Sequence, residues 1–186
     1  LRDHLHLPGE VIEGEPLNAS EARTIAHPLG LTLVPADLGR WKGVGTLLAY
    51  LPEIRQFVST YPEARLVAIL DSVAGAIELA RALRDLFPEK GVGEVHGFSS
   101  DQERAEALQR PFTVGTSTIE VGIDFKDEAE KDVLIFEART AGQFIQRFGR
   151  LARHDKRHPD IPNRAVALVP EYVYHFVAGR LTGPST

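Results

Sequence analysis

The stretch QFIQRFGRLARHDKR, residues 143–157, places Arg147, Arg150 and Arg153 at intervals of three residues. A guanidinium group is planar and presents a fixed fork of N–H donors, which suits the bidentate binding of phosphate oxygens. Residues three apart on a helix fall near the same side, and we therefore expect the three arginines to converge. A solvated helix face with surface ion pairs is the alternative interpretation of this spacing.

A second segment, VGTSTIEVGIDF at residues 114–125, carries small hydroxyl side chains directly after an apolar run. Thr116 and Ser117 would lie at the carboxyl end of a strand, where hydroxyl groups can hydrogen-bond a sugar–phosphate backbone. Asp124 can bind a ribose hydroxyl or an arginine. The alternative is a polar loop in which the aspartate only supports a turn.

The composition limits the class of protein that can carry these segments. The 186 residues have a formal net charge of -5, which argues against a surface coated in positive charge but allows a local basic strip. The absence of cysteine excludes disulfides and thiolate zinc sites and fits the reducing cytoplasm. No apolar run approaches the roughly 18–20 residues of a membrane helix, so no membrane partner is expected. The absence of methionine, even at position 1, predicts a piece of a longer protein.

Apolar runs that alternate with helical patterns predict an α/β fold, a parallel sheet with helices on both faces. RLVAIL at residues 65–70 is continuously apolar, which is typical of a strand buried on both faces. Further strands are predicted at residues 31–36, 93–98, 112–116, 132–138 and 164–170. Ligands of such sheets bind where the strands end. One functional edge is therefore expected at the loops after Leu70, His96, Thr116 and Ala138.

The helices follow from apolar periodicity and capping residues. One is predicted over residues 43–60, with a break near Pro52. The helix that begins after Ser72 is expected to bury Ile77 on its apolar side. The arginine helix is predicted over residues 141–153, buried through apolar residues that include Ile145. Before these elements, residues 1–40 are interpreted as an N-terminal extension or linker that can include an edge strand, and residues 41–186 as the domain.

Four segments in order resemble motifs of the second helicase superfamily. QRFGRLAR matches the superfamily pattern of Gln or His, Arg, any residue, Gly, Arg, any residue, Gly, Arg, although Ala152 stands where glycine is usual. TSTIEVGID resembles the threonine-rich turn that ends in Gly-hydrophobic-Asp. LDSVAGAIELA resembles motif IV, and a strand ending in His96-Gly97 precedes SSDQERAEAL. The resemblance covers residues 65–170, with a narrower likeness to the CRISPR-associated helicases of type I interference systems in IEVGIDF, LIFEA and FIQRFGRLARH.

The resemblance implies a RecA-like, P-loop NTPase-like C-terminal domain that works as the second domain of an ATP-dependent helicase. Such motors bind ATP in the cleft between two domains. This chain has no GxxxxGK[ST] segment, so the Walker A loop and most contacts to Mg²⁺ are expected on an N-terminal RecA-like partner domain. Alone, this chain is expected to be inactive.

The site residues are carried over from the resemblance by position. Arg150 and Arg153 match arginine fingers that stabilise charge on the transferred phosphoryl group, and Gln146 matches the residue that orders the attacking water. Three residues match the nucleotide-binding set: Gly122, Asp124 and Arg147, of which Arg147 is expected to pair with a carboxylate. Four positions match contacts to strand phosphates: Ser72, Gly97, Thr116 and Ser117.

The resemblance also implies the partners. They are the N-terminal RecA-like domain, single-stranded nucleic acid and a CRISPR RNA-guided complex, and DNA is favoured because Val121 replaces an arginine common in RNA-acting relatives. The adjacent His154 and Asp155 lack further converging ligands, so no metal site is expected.

Two alternatives remain open: the C-terminal domain of another helicase, remodelling branched DNA or RNA, and a non-catalytic nucleic-acid-binding module. An α/β enzyme with an arginine phosphate clamp is disfavoured because no glycine-rich loop follows the first strand.

Overall fold

The computed structural model describes residues 29–39, 42–119, 129–151 and 158–181. Its strands are β1 (Leu29–Ala36), β2 (Leu66–Ile69), β3 (Val92–Val95), β4 (Phe112–Gly115), β5 (Val133–Glu137) and β6 (Asn163–Pro170). Its α-helices in the same ranges are α1 (Gly43–Thr60), α2 (Val73–Leu86), α3 (Asp101–Gln109), α4 (Ala141–Phe148) and α5 (Glu171–Leu181), with a 3₁₀ helix at Ser117–Ile119. None of these helices is long and apolar enough to cross a membrane.

All six strands form one parallel sheet in the order β1-β6-β5-β2-β4-β3. Alternate residues of the central strands point to opposite faces, so Ala68 packs in one apolar cluster and Val67 in another. The first cluster is covered by α1 and α2, and the second by residues of α3, α4 and α5. The predicted α/β class, with helices on both faces, is therefore confirmed.

Several local predictions need correction. Helix α1 runs without a break through Pro52, since burial of Leu47 and Ile54 on either side of it offsets the roughly 3 kcal/mol that a helix-interior proline costs. Ile77 is exposed, because Leu79 and Leu83 of the same helix take the buried positions. Where the sequence predicted a strand at residues 31–36, β1 pairs with β6 along its whole length and lies at one edge of the sheet.

The strand order creates a switch point between β2 and β5. From β2 the chain runs to β3 and β4 on one side of the sheet, and then returns to β5 and β6 on the other. The loops that follow these two neighbouring strands run in opposite directions, and ligands of open α/β sheets generally bind beyond the carboxyl ends of such strands. The loops after β2, β3, β4 and β5 lie along one edge, as the sequence predicted.

Candidate functional site at the switch point

Asp71, just beyond the end of β2, is the centre of a charge network at the switch point. Its Oδ1 forms an ion pair with Nη2 of Arg147, and its Oδ2 accepts a hydrogen bond from Nε of Arg139, both at 2.8 Å. Its backbone N–H group donates to Oε2 of Glu137 at 2.7 Å. The carboxylate is 13% exposed, and each of its oxygens binds a different guanidinium. Asp71 therefore ties the end of β2 to the end of β5 and to α4.

Arg147 is the anchor of α4. It is only 1% exposed, and its Nη1 donates to the carbonyl oxygen of Glu137 in addition to the ion pair with Asp71. The expected pairing of Arg147 with a carboxylate is therefore present. Removing one partner of a buried ion pair costs about 3–5 kcal/mol because the other charge is left uncompensated. This pairing fixes the position of α4 against the sheet.

The start of α4 is defined by its own side chains. The hydroxyl of Thr140 accepts a hydrogen bond from the N–H group of Gln143 at 3.2 Å, so Thr140 is the N-cap. The side-chain oxygen of Gln143 accepts from the N–H group of Arg139 at 3.0 Å, one residue before the usual capping-box position. Phe144 packs on Phe136 of β5 with ring centroids 5.4 Å apart.

Arg147 and Arg150 do not lie on one helix, contrary to the prediction, and Arg153 lies outside the described residues. Helix α4 ends at Phe148 with Gly149 as its C-cap, so Arg150 lies in the following turn, where its N–H group donates to the carbonyl oxygen of Arg147 at 2.9 Å. Glycine is a poor helix former, which explains the early end. Arg147 points inward towards Asp71, and that orientation leaves Ile145 71% exposed instead of buried.

Glu137, the last residue of β5, is buried beside the start of α1. It is 5% exposed. Burial raises the pKa of the Glu137 carboxyl, while the Asp71 N–H group and, more weakly, the guanidinium groups of Arg139 and Arg147 favour its ionised form. A Cβ atom at Gly43, the first residue of α1, would overlap Oε1 of Glu137 and lie 3.0 Å from its Cδ. The helix start and the carboxylate therefore pack so closely that only glycine fits.

We predict that Gly43→Ala lowers the free energy of unfolding by about 1–3 kcal/mol, because the added methyl group must displace Glu137 or the first turn of α1. Urea denaturation of the chain measures this. The matched control is Gly45→Ala in the same helix, where a Cβ would meet no atom of the described residues within 4 Å. That change should stabilise the chain by up to about 1 kcal/mol. Equal effects at the two positions would contradict the close packing of Glu137 on α1.

The four residues predicted to contact the nucleic-acid strand lie along the same edge of the sheet. Ser72 follows β2, Gly97 follows β3, and Thr116 and Ser117 follow β4. Gly97 and Ser117 are exposed. Ser72 is the N-cap of α2, and its hydroxyl accepts from the N–H group of Gly75 at 3.2 Å. Thr116 is 7% exposed, and its hydroxyl is 3.1 Å from that of Thr118. Of these four residues, Gly97 and Ser117 are thus the ones exposed for contact with a nucleic-acid strand.

The predicted catalytic and nucleotide residues are only partly described. Gln146 is exposed on α4, next to the buried Arg147, and Arg150 is half-buried beyond Gly149. Arg153, Gly122 and Asp124 lie outside the described residues. Within the described ranges, no three His, Cys, Asp or Glu side chains are grouped as they would be to hold a metal ion.

Sequence reasoning missed the role of three residues at this site. Asp71 does not cap α2, because Ser72 is the N-cap of that helix. Glu137 and Arg139 were not singled out. The available signal was positional: Asp71 and Glu137 stand at the carboxyl ends of two continuous apolar runs, and charged groups at the ends of buried neighbouring strands meet at one edge.

Comparison with known families shows to which family the chain belongs. The profile of the family described as "CRISPR-associated nuclease/helicase Cas3, C-terminal" matches residues 63–156, half of the chain. The chain belongs to this Cas3-like C-terminal family. The matched residues of the Cas3-like domain include β2, the switch-point network and α4. Among proteins of curated function, none matches the chain.

Solved structures share the fold of this Cas3-like domain. T. fusca Cas3 with ADP is 22% identical with a TM-score of 0.59, over 81% of this chain and 19% of that chain. E. coli SrmB, a DEAD-box protein bound to RraA, is 22% identical with a TM-score of 0.52, over 86% of this chain and 85% of that chain. Mss116p bound to ssRNA and AMP-PNP is 15% identical with a TM-score of 0.60, over 83% of this chain and 30% of that chain. The chain thus has the RecA-like fold of helicase C-terminal domains and spans about a fifth of T. fusca Cas3.

Proposed function

We propose that this Cas3-like domain is the second motor domain of an ATP-dependent DNA helicase or translocase that acts in CRISPR interference. The observation that carries the proposal is the anchoring of α4 by the buried Arg147–Asp71 pair. The pair would hold the exposed Gln146 and the following Arg150 near the carboxyl edge of the sheet, beside the switch point. A rigid support of this kind is what a residue that must stabilise a transition state requires.

The side chains at this edge suit the phosphates of ATP as substrate. Arg150, together with Arg153, would neutralise charge that develops on the transferred phosphoryl group, and Gln146 would orient the attacking water. Arg147 would act through the support of α4, because its guanidinium already binds Asp71 and Glu137. Solved T. fusca Cas3 structures carry AMPPNP, ADP or ATP, which supports the choice of nucleotide. Walker A contacts and most Mg²⁺ ligands would come from the N-terminal RecA-like domain.

The charge network around Asp71 would also connect the proposed ATP-binding side of the domain with the residues proposed to bind the nucleic-acid strand. Asp71 binds Arg147 of α4, and the next residue, Ser72, caps α2 at a predicted strand contact. A shift of α4 on phosphate release would therefore move the end of β2, where the nucleic-acid strand would be held. Closing and opening of the cleft would then be coupled to stepping along a single strand.

Strand-stimulated ATPase activity tests this function. The assay compares the chain alone with a two-domain motor, in which the chain follows an N-terminal RecA-like domain that carries a Walker A loop. The chain alone should hydrolyse ATP negligibly, because half of the site is missing, and the two-domain motor should turn over ATP faster when single-stranded DNA is added. A two-domain motor that binds the strand but never hydrolyses ATP would favour a non-catalytic binding module.

A further inference from the structure

The turn between β3 and α3 is held by its own hydrogen bonds. The N–H group of Ser99 donates to the carbonyl oxygen of His96 at 3.0 Å, and the N–H group of His96 donates to the hydroxyl of Ser99 at 3.2 Å. The N–H group of Phe98 donates to Nδ1 of His96 at 3.3 Å. Three bonds within four residues give this turn a fixed shape, so the backbone at its tip has a defined place.

The side chain at the tip is Phe98. It is 87% exposed, more than any other large apolar side chain that the structure describes. Its ring meets that of His96 edge-on, with centroids 5.9 Å apart. A single exposed apolar residue is common on protein surfaces. Phe98 differs in being held on a closed turn at the functional edge of the sheet, as a binding residue would be.

The turn lies next to residues that are predicted to contact the nucleic-acid strand. Val95 of β3 is paired with Gly115 of β4, and the N–H group of Thr116 donates to the carbonyl oxygen of Val95 at 3.1 Å. The chain segments that carry Phe98 and Ser117 therefore leave the sheet side by side. A strand whose phosphates pass Ser117 would bring its bases within reach of the exposed ring.

The start of α3, which follows the turn, is a poor site for a phosphate. Ser100 and Glu103 form a reciprocal capping box at the start of α3, so the N–H group of Glu103 already has a partner. Asp101 and Glu103 add negative charge in the first turn of that helix. An anion is disfavoured there, whereas the uncharged face of a nucleobase is not. Aromatic side chains stack on bases with little sequence preference, since every base has a π-face.

We propose that Phe98 stacks on a nucleobase of the bound single strand and so contributes base contact to an edge that otherwise binds phosphates. This inference rests on the proposed strand-binding function. The test measures binding of the full chain to a labelled oligothymidylate and to an abasic strand of the same length. Phe98→Ala should weaken binding of the oligothymidylate by about tenfold and leave binding of the abasic strand unchanged. Phe98→Trp should retain the preference for bases, and Phe98→Leu should lose it.

The matched control is Phe176→Ala, which removes a 60% exposed phenylalanine on α5, beside the strands at the opposite edge of the sheet. It should leave binding of both strands unchanged. If Phe98→Ala binds both strands as the wild type does, the stacking proposal is wrong while strand binding stands. If the wild type binds neither strand, the stacking proposal and the strand-binding function both fail. An equal loss for the two strands would place Phe98 at a contact with the sugar–phosphate backbone and would also overturn stacking.

Discussion

Replacing Arg150 with alanine should lower the strand-stimulated kcat of the two-domain motor by on the order of 10³-fold or more. The transferred phosphoryl group spreads negative charge over its oxygens in the transition state, and a guanidinium held in place stabilises that charge without reorganisation. Helix α4 supplies the position, because Arg150 follows its C-cap, Gly149, and Arg147 anchors it. The measurement is steady-state ATP hydrolysis at saturating single-stranded DNA.

The control for Arg150 is Arg81→Ala, which removes an exposed arginine from the solvent side of α2. This change should leave kcat within about twofold, since a surface residue away from the edge contributes little. Arg150→Lys separates charge from shape. A lysine keeps the positive charge but lacks the planar fork of donors, and we expect it to recover only part of the lost rate.

Asp71→Ala should lower the free energy of unfolding by about 3–5 kcal/mol. The substitution leaves the guanidinium of Arg147, which is 1% exposed, without its Asp71 carboxylate. The loss is a large share of the roughly 5–15 kcal/mol that stabilises a typical domain, so α4 should detach before the rest of the sheet unfolds. Urea denaturation of the chain, followed by circular dichroism, measures the change.

A second substitution checks the cause of this loss. Arg147→Met in the Asp71→Ala background removes the buried charge and should restore most of the lost stability, because an apolar side chain can fill the same space. The comparison pair is Lys42 with Asp37, whose side chains are 64% and 62% exposed at 3.0 Å. Lys42→Ala should change stability by no more than about 1 kcal/mol. If Asp71→Ala were equally mild, the anchoring of α4 by charge would be contradicted.

The sheet could be predicted from sequence because its signal is local. LVAIL after Arg65 and VLIF before Glu137 are continuous apolar runs, a pattern typical of strands covered on both faces. The Ser100–Glu103 capping box is equally local and is present at the start of α3. In each case the residues that decide the structure are neighbours along the chain.

The orientation of α4 could not be predicted in this way. Judged by hydrophobicity alone, Ile145 belongs inside and Arg147 outside, and the structure has the reverse. The reason is Asp71, which is distant in sequence and reaches Arg147 only through the order of β2 and β5 in the sheet. Burial of a paired arginine overrides the apolar periodicity of one short helix. The continuity of α1 at Pro52 likewise depends on packing against α2 and the sheet.

The most direct test pairs two readings on Arg150→Ala in the two-domain motor: the strand-stimulated kcat and the free energy of unfolding. We predict that kcat falls by on the order of 10³-fold while stability changes by about 1 kcal/mol or less, because Arg147 and not Arg150 anchors the helix. An unchanged kcat in a stably folded, strand-binding protein would contradict the assignment of this domain as half of an ATP hydrolysis site.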